Sequence, residues 1–292
     1  MCNSGAGGPR RMMKMTRVLA IALIAVFSAS WVSAGADGAG LTEADPQDVA
    51  RTWDAARVYL PTADVSMRPS SMADLQNFTE RHEELFPIAI HLHGCSGFWQ
   101  GTDRRGRYLA SLGFVVIAPD SFARTNKPQS CDPATHEGGF FRGTLALRHA
   151  EAAHAIARVR KLPWVDKEKM VLTGHSEGAI ATATLGAEHT VGLKARVIEG
   201  WGCNAFWQEY AGLNSSPDLP VLSLVGNRDP WFRLSFLQGD CGEFMKNASS
   251  RSVVYGEPPL KTVHSLLDYG RPREDLRDFL CDNVHCAAGQ QQ

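Results

Sequence analysis

Residues 169–188 read KMVLTGHSEGAIATATLGAE, and this segment decides the fold. Its first part, Lys169 to Thr173, is a short apolar run that predicts a buried strand. Gly174 and Gly178 then predict a tight turn, because a residue without a Cβ lets backbone segments approach closely. The Ala-rich stretch from Ser176 through Glu188 predicts a helix. The segment therefore predicts a strand, a turn and a helix in direct succession.

Similar apolar runs recur on both sides of this segment. Because they are continuous rather than alternating, they predict strands that are buried on both faces. Helical patterns lie between them, the clearest from Thr144 to Lys161, and Pro163 ends that helix. Strands that alternate with helices predict an α/β fold, with a mostly parallel central sheet and helices on both faces. The other predicted strands are residues 55–61, 86–92, 114–118, 195–198, 221–225 and 252–255, and further helices are predicted after His264 and over residues 274–280.

Composition excludes some classes of function. The chain has 292 residues, of which 44% are hydrophobic and 21% charged, and its formal net charge is −1. This length and apolar content suit one large globular domain. A net charge so close to zero provides no basic field for nucleic acid or acidic lipid, so neither is an expected partner.

The first 36 residues predict a cleaved signal peptide. A basic stretch over residues 10–17 precedes an apolar run over residues 18–32, and this run of about 15 residues is shorter than the roughly 20 that span a bilayer. Small residues at 32–36 suit a signal peptidase. We expect residues 37–292 to form a single secreted or periplasmic domain without stable membrane association. An uncleaved N-terminal anchor is the alternative.

Cysteine usage agrees with export. Loss of the signal region removes Cys2 and leaves an even number of cysteines, which in an oxidising compartment favours disulfides. Cysteines that follow neighbouring strands, or that lie close in sequence, are the natural partners. Buried free thiols are the alternative. The pairs that we predict are Cys95 with Cys131, Cys203 with Cys241, and Cys281 with Cys286.

The turn of the opening segment matches the pattern G-x-S-x-G, with Ser176 at its centre. The pattern alone is weak in a chain with 27 glycines, so its context carries the inference. A serine between a buried strand and a helix is typical of the nucleophile elbow. There the helix dipole favours developing negative charge. The alternative is that Ser176 only caps the helix.

A serine nucleophile needs a base, and the base follows it in the chain in this arrangement. Three histidines follow Ser176. His189 lies at the far end of the predicted nucleophile helix, and His285 lies in the Cys-flanked tail. His264 lies in a loop after the last predicted strand, where a base belongs. We therefore predict His264 as the general base.

The acid that orients the base comes from a strand end between the nucleophile and the histidine. Asp229 is the first acid after the predicted strand 221–225, and Pro230 follows it. Glu199, at the end of the preceding strand, is the rival. Asp218 and Asp240 lie further from strand ends. Position therefore favours Asp229.

An oxyanion hole takes one backbone N–H from the residue after the nucleophile and one from the loop after an early strand. Glu177 provides the first and Cys95 the second. His91 and His93, two residues apart, form a weaker candidate for a metal site because they lack acidic or Cys-rich partners nearby. No metal or cofactor is expected. A thiol nucleophile at Cys95 is disfavoured, since no His–acid pair suits it in this chain order.

Three ordered motifs resemble the dienelactone hydrolase family: Gly94-Cys95-Ser96-Gly97, residues 118–122 (APDSF), and residues 164–166 (WVD) before the Ser176 pentapeptide. The resemblance runs from about Leu85 to Leu280. It implies an α/β-hydrolase fold with a nucleophile–Asp–His triad that maps onto Ser176, Asp229 and His264. The namesake enzymes use a Cys nucleophile, whereas this chain has Ser. The resemblance therefore implies a general esterase branch rather than lactone specificity.

The expected function is hydrolysis of a small-molecule carboxylic ester through an acyl-enzyme. A peptidase or amidase on the same triad, and a non-catalytic binding protein with this fold, are the alternatives. Residues 121–141 form a long loop that is expected to cover the cleft. Arg124, Arg142 and Arg228 are candidates for binding a substrate carboxylate, with solvated surface charge as the alternative. Aromatic side chains in loops near strand ends are candidates for an acyl pocket: Phe98, Trp99, Phe140, Phe141, Trp201, Trp231 and Phe232.

Overall fold

A computed structural model describes residues 44–61 and 69–286. The predicted signal peptide and its cleavage site lie outside the described residues. Nine strands are present in the described part of the chain, seven of them in one sheet and two in a short hairpin. The strands are β1 (Arg57–Tyr59), β2 (Phe86–Leu92), β3 (Val115–Ala118), β4 (Cys131–Asp132), β5 (Glu137–Gly138), β6 (Val165–His175), β7 (Ala195–Glu199), β8 (Val221–Gly226) and β9 (Arg251–Tyr255).

The main sheet has the strand order β1-β3-β2-β6-β7-β8-β9. β1 runs antiparallel to β3, and every other neighbouring pair is parallel. Strands β2, β3, β7 and β8 are buried along their whole length, as their mostly apolar sequences predict, although β7 also buries Arg196 and Glu199. Parallel strands place their carboxyl ends at one edge of the sheet, so the polar loops after β2, β6, β7 and β8 meet there.

Helices cover both faces of this sheet, which confirms the predicted fold class. One face packs against α1 (Pro46–Asp54), α2 (Met72–Thr79), α4 (Thr144–Val159) and α5 (Glu177–Thr184). The other face packs against α3 (Gln100–Ser111) and α6 (Gly270–Asn283). Alternate residues of one strand enter different cores: Ile88 and Ile90 join the first, and Ala89 joins the second.

Helix α5 ends at Thr184, four residues before the predicted end at Glu188. The buried guanidinium of Arg196 donates hydrogen bonds to the carbonyls of Thr182, Ala183 and Leu185. These carbonyls are among those that a helix C-terminus leaves unsatisfied. A side chain from β7 therefore satisfies the end of the helix, which a local pattern cannot reveal.

Two further predictions about elements are wrong. The helix expected directly after His264 is a single 3-10 turn over Leu266–Asp268, and α6 begins only at Gly270. Strand β9 was expected to be buried on both faces, but four of its five residues are partly or fully exposed. β9 is an edge strand that pairs with β8 alone, so its outer side faces water.

All three predicted disulfides are present. Cys95 bonds Cys131, Cys203 bonds Cys241, and Cys281 bonds Cys286. Within residues 44–61 and 69–286, no helix is long and apolar enough to cross a membrane. Disulfides of this number are typical of proteins from oxidising compartments.

Candidate active site

Ser176 occupies a strained turn between β6 and α5, with φ of 58° and ψ of −121°. A non-glycine residue with positive φ is unfavourable and occurs mostly at functional sites. The turn is also crowded. A Cβ on Gly174 would lie 2.1 Å from the carbonyl oxygen of Gly178, and one on Gly178 would lie 2.1 Å from that of Leu92. Only glycine fits at either position, so both glycines of the pentapeptide are explained by contact distances.

Ser176 does not act as a helix cap. Its side chain makes no capping hydrogen bond to α5, and its backbone N–H donates instead to the Glu199 carbonyl at 2.9 Å. That bond joins the end of β6 to the end of β7. The hydroxyl is consequently presented to a cavity rather than used to satisfy the first turn of the helix.

Asp229 and His264 form a hydrogen-bonded pair at the carboxyl edge of the sheet. The Nδ1 of His264 lies 2.6 Å from Oδ2 of Asp229, and the other carboxylate oxygen accepts from the Trp231 N–H at 3.0 Å. The Asp229 side chain is fully buried, so its carboxylate faces His264 rather than water. With the proton on Nδ1, the Nε2 lone pair of His264 is available as a base. Nε2 is buried and has no hydrogen-bond partner in the described part of the chain.

Close packing positions the imidazole of His264. The indole of Trp231 stacks on it with 5.2 Å between ring centroids. On another side, Gly200 has φ of 70°, and a Cβ there would lie 2.9 Å from the His264 carbonyl oxygen. The His175 ring lies 5.1 Å from that of His264. Burial, together with the nearby charge of Arg105, holds the pKa of His175 well below its usual range, so this neighbour is neutral.

The rival acid, Glu199, has a different partner. Its two carboxylate oxygens each lie 2.6 Å from a guanidinium nitrogen of Arg105, and one of them also accepts from the Leu267 N–H at 2.8 Å. Both side chains are about 1% exposed. Glu199 therefore supports the loop that carries His264 but does not contact its imidazole.

The remaining candidates for base and acid lie elsewhere. His189 is exposed beside Glu188, and His285 packs on the Phe114 ring with 5.6 Å between centroids. The Asp240 carboxylate accepts from the Ser252 hydroxyl at 2.6 Å, and Asp218 is exposed. The structure thus brings together Ser176, Asp229 and His264, which the sequence singles out by position alone.

The residues predicted for the oxyanion hole, Cys95 and Glu177, both line the cavity that contains Ser176 and His264. A Cβ on Gly94 would lie 3.3 Å from Cβ of Ser176, so the loop after β2 passes directly beside the serine. The loop is held there by the disulfide from Cys95 to Cys131.

The Glu177 side chain has contacts beside the serine that could not be predicted from the sequence. Its carboxylate accepts a hydrogen bond from the Ser130 hydroxyl, and the Arg148 guanidinium lies 3.9 Å away. Burial raises the pKa of the Glu177 carboxyl. Ser130 and Cys131 are adjacent at the start of the β4–β5 hairpin. Cys131 is bonded to Cys95 in the loop after β2, and Ser130 is hydrogen-bonded to Glu177 at the start of α5. The two backbone segments with predicted oxyanion donors are therefore tied together.

His91 and His93 are committed to partners within the protein. Nδ1 of His91 lies 2.8 Å from the Thr173 hydroxyl, and Nδ1 of His93 lies 2.7 Å from the Gly94 carbonyl. Nε2 of His93 accepts from the Ser121 N–H at 3.1 Å. Burial is the main cause that lowers the pKa of His91 to about 3. Both rings are buried and brace the strand end before the Cys95 loop.

Two cavities meet at the serine and share Cys95, Ser176, Trp231 and His264. One has a volume of about 380 Å³ and a mostly aromatic and aliphatic lining. The other has a volume of about 570 Å³ and includes polar side chains such as His136 and Thr262. Residues 130, 131, 138 and 139 line the first cavity, so the loop predicted to cover the cleft forms part of its wall.

The aromatic prediction is correct for some residues and wrong for others. Trp201, Trp231 and Phe232 line the first cavity, and Trp99 lines the second. Phe98 instead packs on the His93 ring, and neither Phe140 nor Phe141 lines either cavity. The sequence analysis missed part of the lining, although these side chains lie in the same strand-end loops as Trp201 and Trp231: Phe206, Trp207, Tyr210, Leu234, Phe236 and Leu237.

The three candidate arginines line neither cavity. Arg124 is buried against Glu151 at 2.6 Å, and Arg142 pairs with Glu209 near the surface. Arg228 is exposed at the end of β8. These positions favour paired or solvated charge over binding of a substrate carboxylate. Their guanidinium groups are paired or solvated outside the cleft.

No protein-family model matches the chain, and no curated protein matches it. Among solved structures, the chain resembles the esterase Est1E from Butyrivibrio proteoclasticus, whose structure contains ferulic acid. The two share 14% identity, the alignment covers 78% of this chain and 94% of Est1E, and the TM-score is 0.51. A thermophilic carboxylesterase, EstE1, from a metagenomic library has 16% identity, coverage of 78% and 82%, and a TM-score of 0.49. A Klebsiella pneumoniae protein assigned as a dienelactone hydrolase has 22% identity, coverage of 68% and 88%, and a TM-score of 0.47.

These neighbours share little sequence with the chain, and Est1E is the one of the three whose TM-score exceeds 0.5. The chain itself has a mostly parallel seven-stranded sheet with helices on both faces, and 78% of it aligns with Est1E. The chain has the α/β-hydrolase fold, and its structural neighbours are esterases and dienelactone hydrolases at low sequence identity.

Proposed function

We propose that this chain is a secreted serine hydrolase that cleaves carboxylic esters, with Ser176 as nucleophile, His264 as general base and Asp229 as the orienting acid. One observation carries the proposal: a strained serine borders the same cavity as His264, and His264 is hydrogen-bonded to the buried Asp229. A hydroxyl is a weak nucleophile, and a base that is oriented by a buried carboxylate is the usual means of activating it.

In the first step, Nε2 of His264 takes the proton from Oγ of Ser176 as Oγ bonds to the ester carbonyl carbon. Asp229 stabilises the resulting imidazolium and keeps Nδ1 as a donor. The carbonyl oxygen gains negative charge, which the backbone N–H groups of Glu177 and Cys95 stabilise. Removal of one such donor typically costs about 100- to 1,000-fold in rate.

In the second step, His264 returns the proton to the departing alkoxide, and the acyl group remains on Ser176. A water molecule then loses a proton to Nε2 and attacks the acyl carbon. Collapse of this second intermediate releases the carboxylic acid and restores the Ser176 hydroxyl. Ser176 and His264 line the same cavity, where Nε2 would exchange protons with serine, alcohol and water in turn.

The cavity linings support an apolar substrate. No Arg or Lys of residues 44–61 and 69–286 lines either cavity, and the first lining is rich in Trp and Phe. Such a surface binds uncharged aryl or alkyl groups through burial of apolar area. The ferulic acid bound to Est1E makes hydroxycinnamoyl esters one natural class to assay.

Two observations support the secreted location. The signal sequence predicted over residues 1–36 would direct export, and three disulfides favour an oxidising compartment. Mass spectrometry of the exported protein tests this part directly. A mature protein that retains residues 18–32 would overturn it.

A serine-directed fluorophosphonate probe tests the catalytic proposal, together with turnover of p-nitrophenyl butyrate. The wild-type protein should be labelled at Ser176 and should hydrolyse the ester. Ser176→Ala should lose both properties, while Ser249→Ala, a matched change at an exposed serine, should retain both. Labelling without ester turnover, but with cleavage of a p-nitroanilide, would indicate an amidase. Neither labelling nor turnover would indicate a binding protein.

A further inference from the structure

Three large apolar side chains at the mouth of the aromatic cavity are exposed to water. Phe206 is 80% exposed, Leu234 is 57% exposed and Phe236 is 48% exposed. All three also line the 380 Å³ cavity that contains Ser176. The rings of Phe206 and Phe236 contact each other edge to face, with 6.0 Å between centroids. We call Phe206, Leu234 and Phe236 the apolar rim.

The apolar rim is built on two loops that are joined to each other. Cys203 and Cys241 form a disulfide between them. The Asn204 side chain donates to the Gln238 carbonyl at 3.1 Å, and a Cβ on Gly202 would lie 2.6 Å from the Gly239 carbonyl oxygen. Because Phe206 lies only three residues after Cys203, the loop has little length with which to turn this ring inward. The disulfide and the hydrogen bond between the two loops therefore keep the rim exposed.

Contiguous exposed apolar side chains on a soluble domain usually mark a binding surface. Here the surface continues without interruption into a cavity that ends at the candidate nucleophile. Inside that cavity the walls are also apolar, formed by side chains such as Trp201, Phe232 and Ile180. Among the described residues that line this cavity, Glu177 is the only Asp, Glu, Lys or Arg. A ligand that contacts both rim and cavity must therefore be an apolar chain with one end at Ser176.

We propose that the apolar rim binds the outer part of a medium- to long-chain acyl group whose ester carbonyl lies at Ser176. This inference rests on the proposed function and names the substrate class of the same site. The inner cavity holds the part of the chain next to the ester. The rim buries the part further out, and this burial of apolar area distinguishes long acyl chains from short ones.

Kinetics of two esters test the proposal. For p-nitrophenyl decanoate, the double variant Phe206→Ser with Phe236→Ser should lower kcat/KM about tenfold or more through a higher KM, and tenfold corresponds to about 1.4 kcal/mol. For p-nitrophenyl butyrate, kcat/KM should fall several-fold less than for the decanoate, because a short chain buries less apolar area against the rim. Val191→Ser is the matched control: Val191 is 55% exposed and lies before β7, at the opposite edge of the sheet.

A binding experiment separates failure of this proposal from failure of the proposed function. In the Ser176→Ala background, ethyl decanoate should change tryptophan fluorescence, since Trp201, Trp207 and Trp231 line the cavity. The rim variant should weaken that binding about tenfold. If no ester is hydrolysed but binding depends on the rim, the proposed function fails and the apolar-chain site stands.

Two results would overturn the rim proposal itself. One is an equal loss of activity on butyrate and decanoate in the rim variant, with unfolding unchanged. The other is a wild-type dimer, seen by sedimentation, that the rim substitutions convert to a monomer without any effect on decanoate turnover. The second result would assign the rim to an interface between two copies of the chain.

Discussion

Removal of the disulfide beside the serine tests how the cavity wall is stabilised. Cys95 and Cys131 are separated by 36 residues, so their bond closes a long loop in the unfolded chain. For a loop of this length, the chain-entropy relation gives a stabilisation of about 4 kcal/mol. The double variant Cys95→Ala with Cys131→Ala should therefore lose about 4 kcal/mol in free energy of unfolding.

The chain offers a matched control in Cys281 and Cys286, which are separated by only 5 residues. The same relation gives about 2 kcal/mol for so short a loop. Urea unfolding of both double variants and the wild type, without reductant, measures the two losses under one condition. Equal losses, or a larger loss for the Cys281–Cys286 pair, would refute the reasoning that loop length sets the contribution.

The same variant should also lose activity. The disulfide ties the Cys95 loop to the hairpin whose Ser130 bonds Glu177, and both loop and helix start carry predicted oxyanion donors. Without it, kcat for p-nitrophenyl butyrate should fall more than KM rises, since the loss concerns the transition state rather than ground-state binding. The Cys281–Cys286 variant should retain kcat. An unchanged kcat in the Cys95–Cys131 variant, at a temperature where it is folded, would contradict this expectation.

Three further predictions concern single side chains. Asp229→Asn should lower kcat by roughly 10³- to 10⁴-fold with little change in folding, because an amide does not favour the Nδ1–H tautomer of His264; steady-state kinetics measure this. Glu199→Gln should lower the free energy of unfolding, measured by urea unfolding, by about 3 kcal/mol, because Arg105 loses its buried partner. The carboxylate of Asp268, 3.5 Å from Arg105, compensates for part of this loss. His91 has a pKa of about 3 in the folded protein and therefore stays neutral at pH 5. An unfolded histidine protonates below about pH 6.5, so acid stabilises the unfolded chain. Urea unfolding should therefore show that His91 lowers the free energy of unfolding by about 2 kcal/mol between pH 7 and pH 5.

Each of these has a control in the chain. Asp218→Asn, at an exposed acid, should leave kcat unchanged. Glu199→Gln should keep fluorophosphonate labelling of Ser176, because Glu199 contacts the serine through its backbone carbonyl alone. The difference in stability between pH 7 and pH 5 should shrink in His91→Gln but persist in His189→Gln, whose histidine is exposed. If the free energy of unfolding of His91→Gln depended on pH as in the wild type, His91 would not be the residue that takes up a proton on unfolding.

Much of the sheet could be predicted because burial leaves a local trace in sequence. Strands buried on both faces are mostly apolar along their length, and β2, β3 and β8 are, with His91 and Ser223 as the polar exceptions. β9 has a similar sequence, but it lies at the edge of the sheet. The end of α5 was likewise missed, because Arg196 from β7 satisfies its carbonyls. Errors of this kind occur where the burial or the end of an element depends on residues that are distant in the chain.

The residues of the candidate site likewise fall into those that the sequence predicts and those that depend on tertiary contacts. Ser176 could be located because its turn needs glycines at two fixed positions, and His264 because chain order and loop position exclude the other histidines. The Glu177 side chain was overlooked because its importance depends on Ser130, 47 residues earlier in the chain. The lining residues Phe206 and Phe236 were missed for a related reason: aromatic residues in loops line a cavity or do not according to how those loops pack.

By itself, the sequence determined the chain order of the seven strands of the main sheet, the turn at Ser176 and the residue types at the strand ends, because local periodicity and chain order specify these. Only the tertiary structure decided between Asp229 and Glu199. Both acids follow buried strands, but Arg105 from α3 neutralises one, and the other is left to bond His264. The tertiary structure also decided which aromatic side chains face Ser176 and which of them remain in water. Both outcomes depend on contacts between residues far apart in the chain, which no local pattern records.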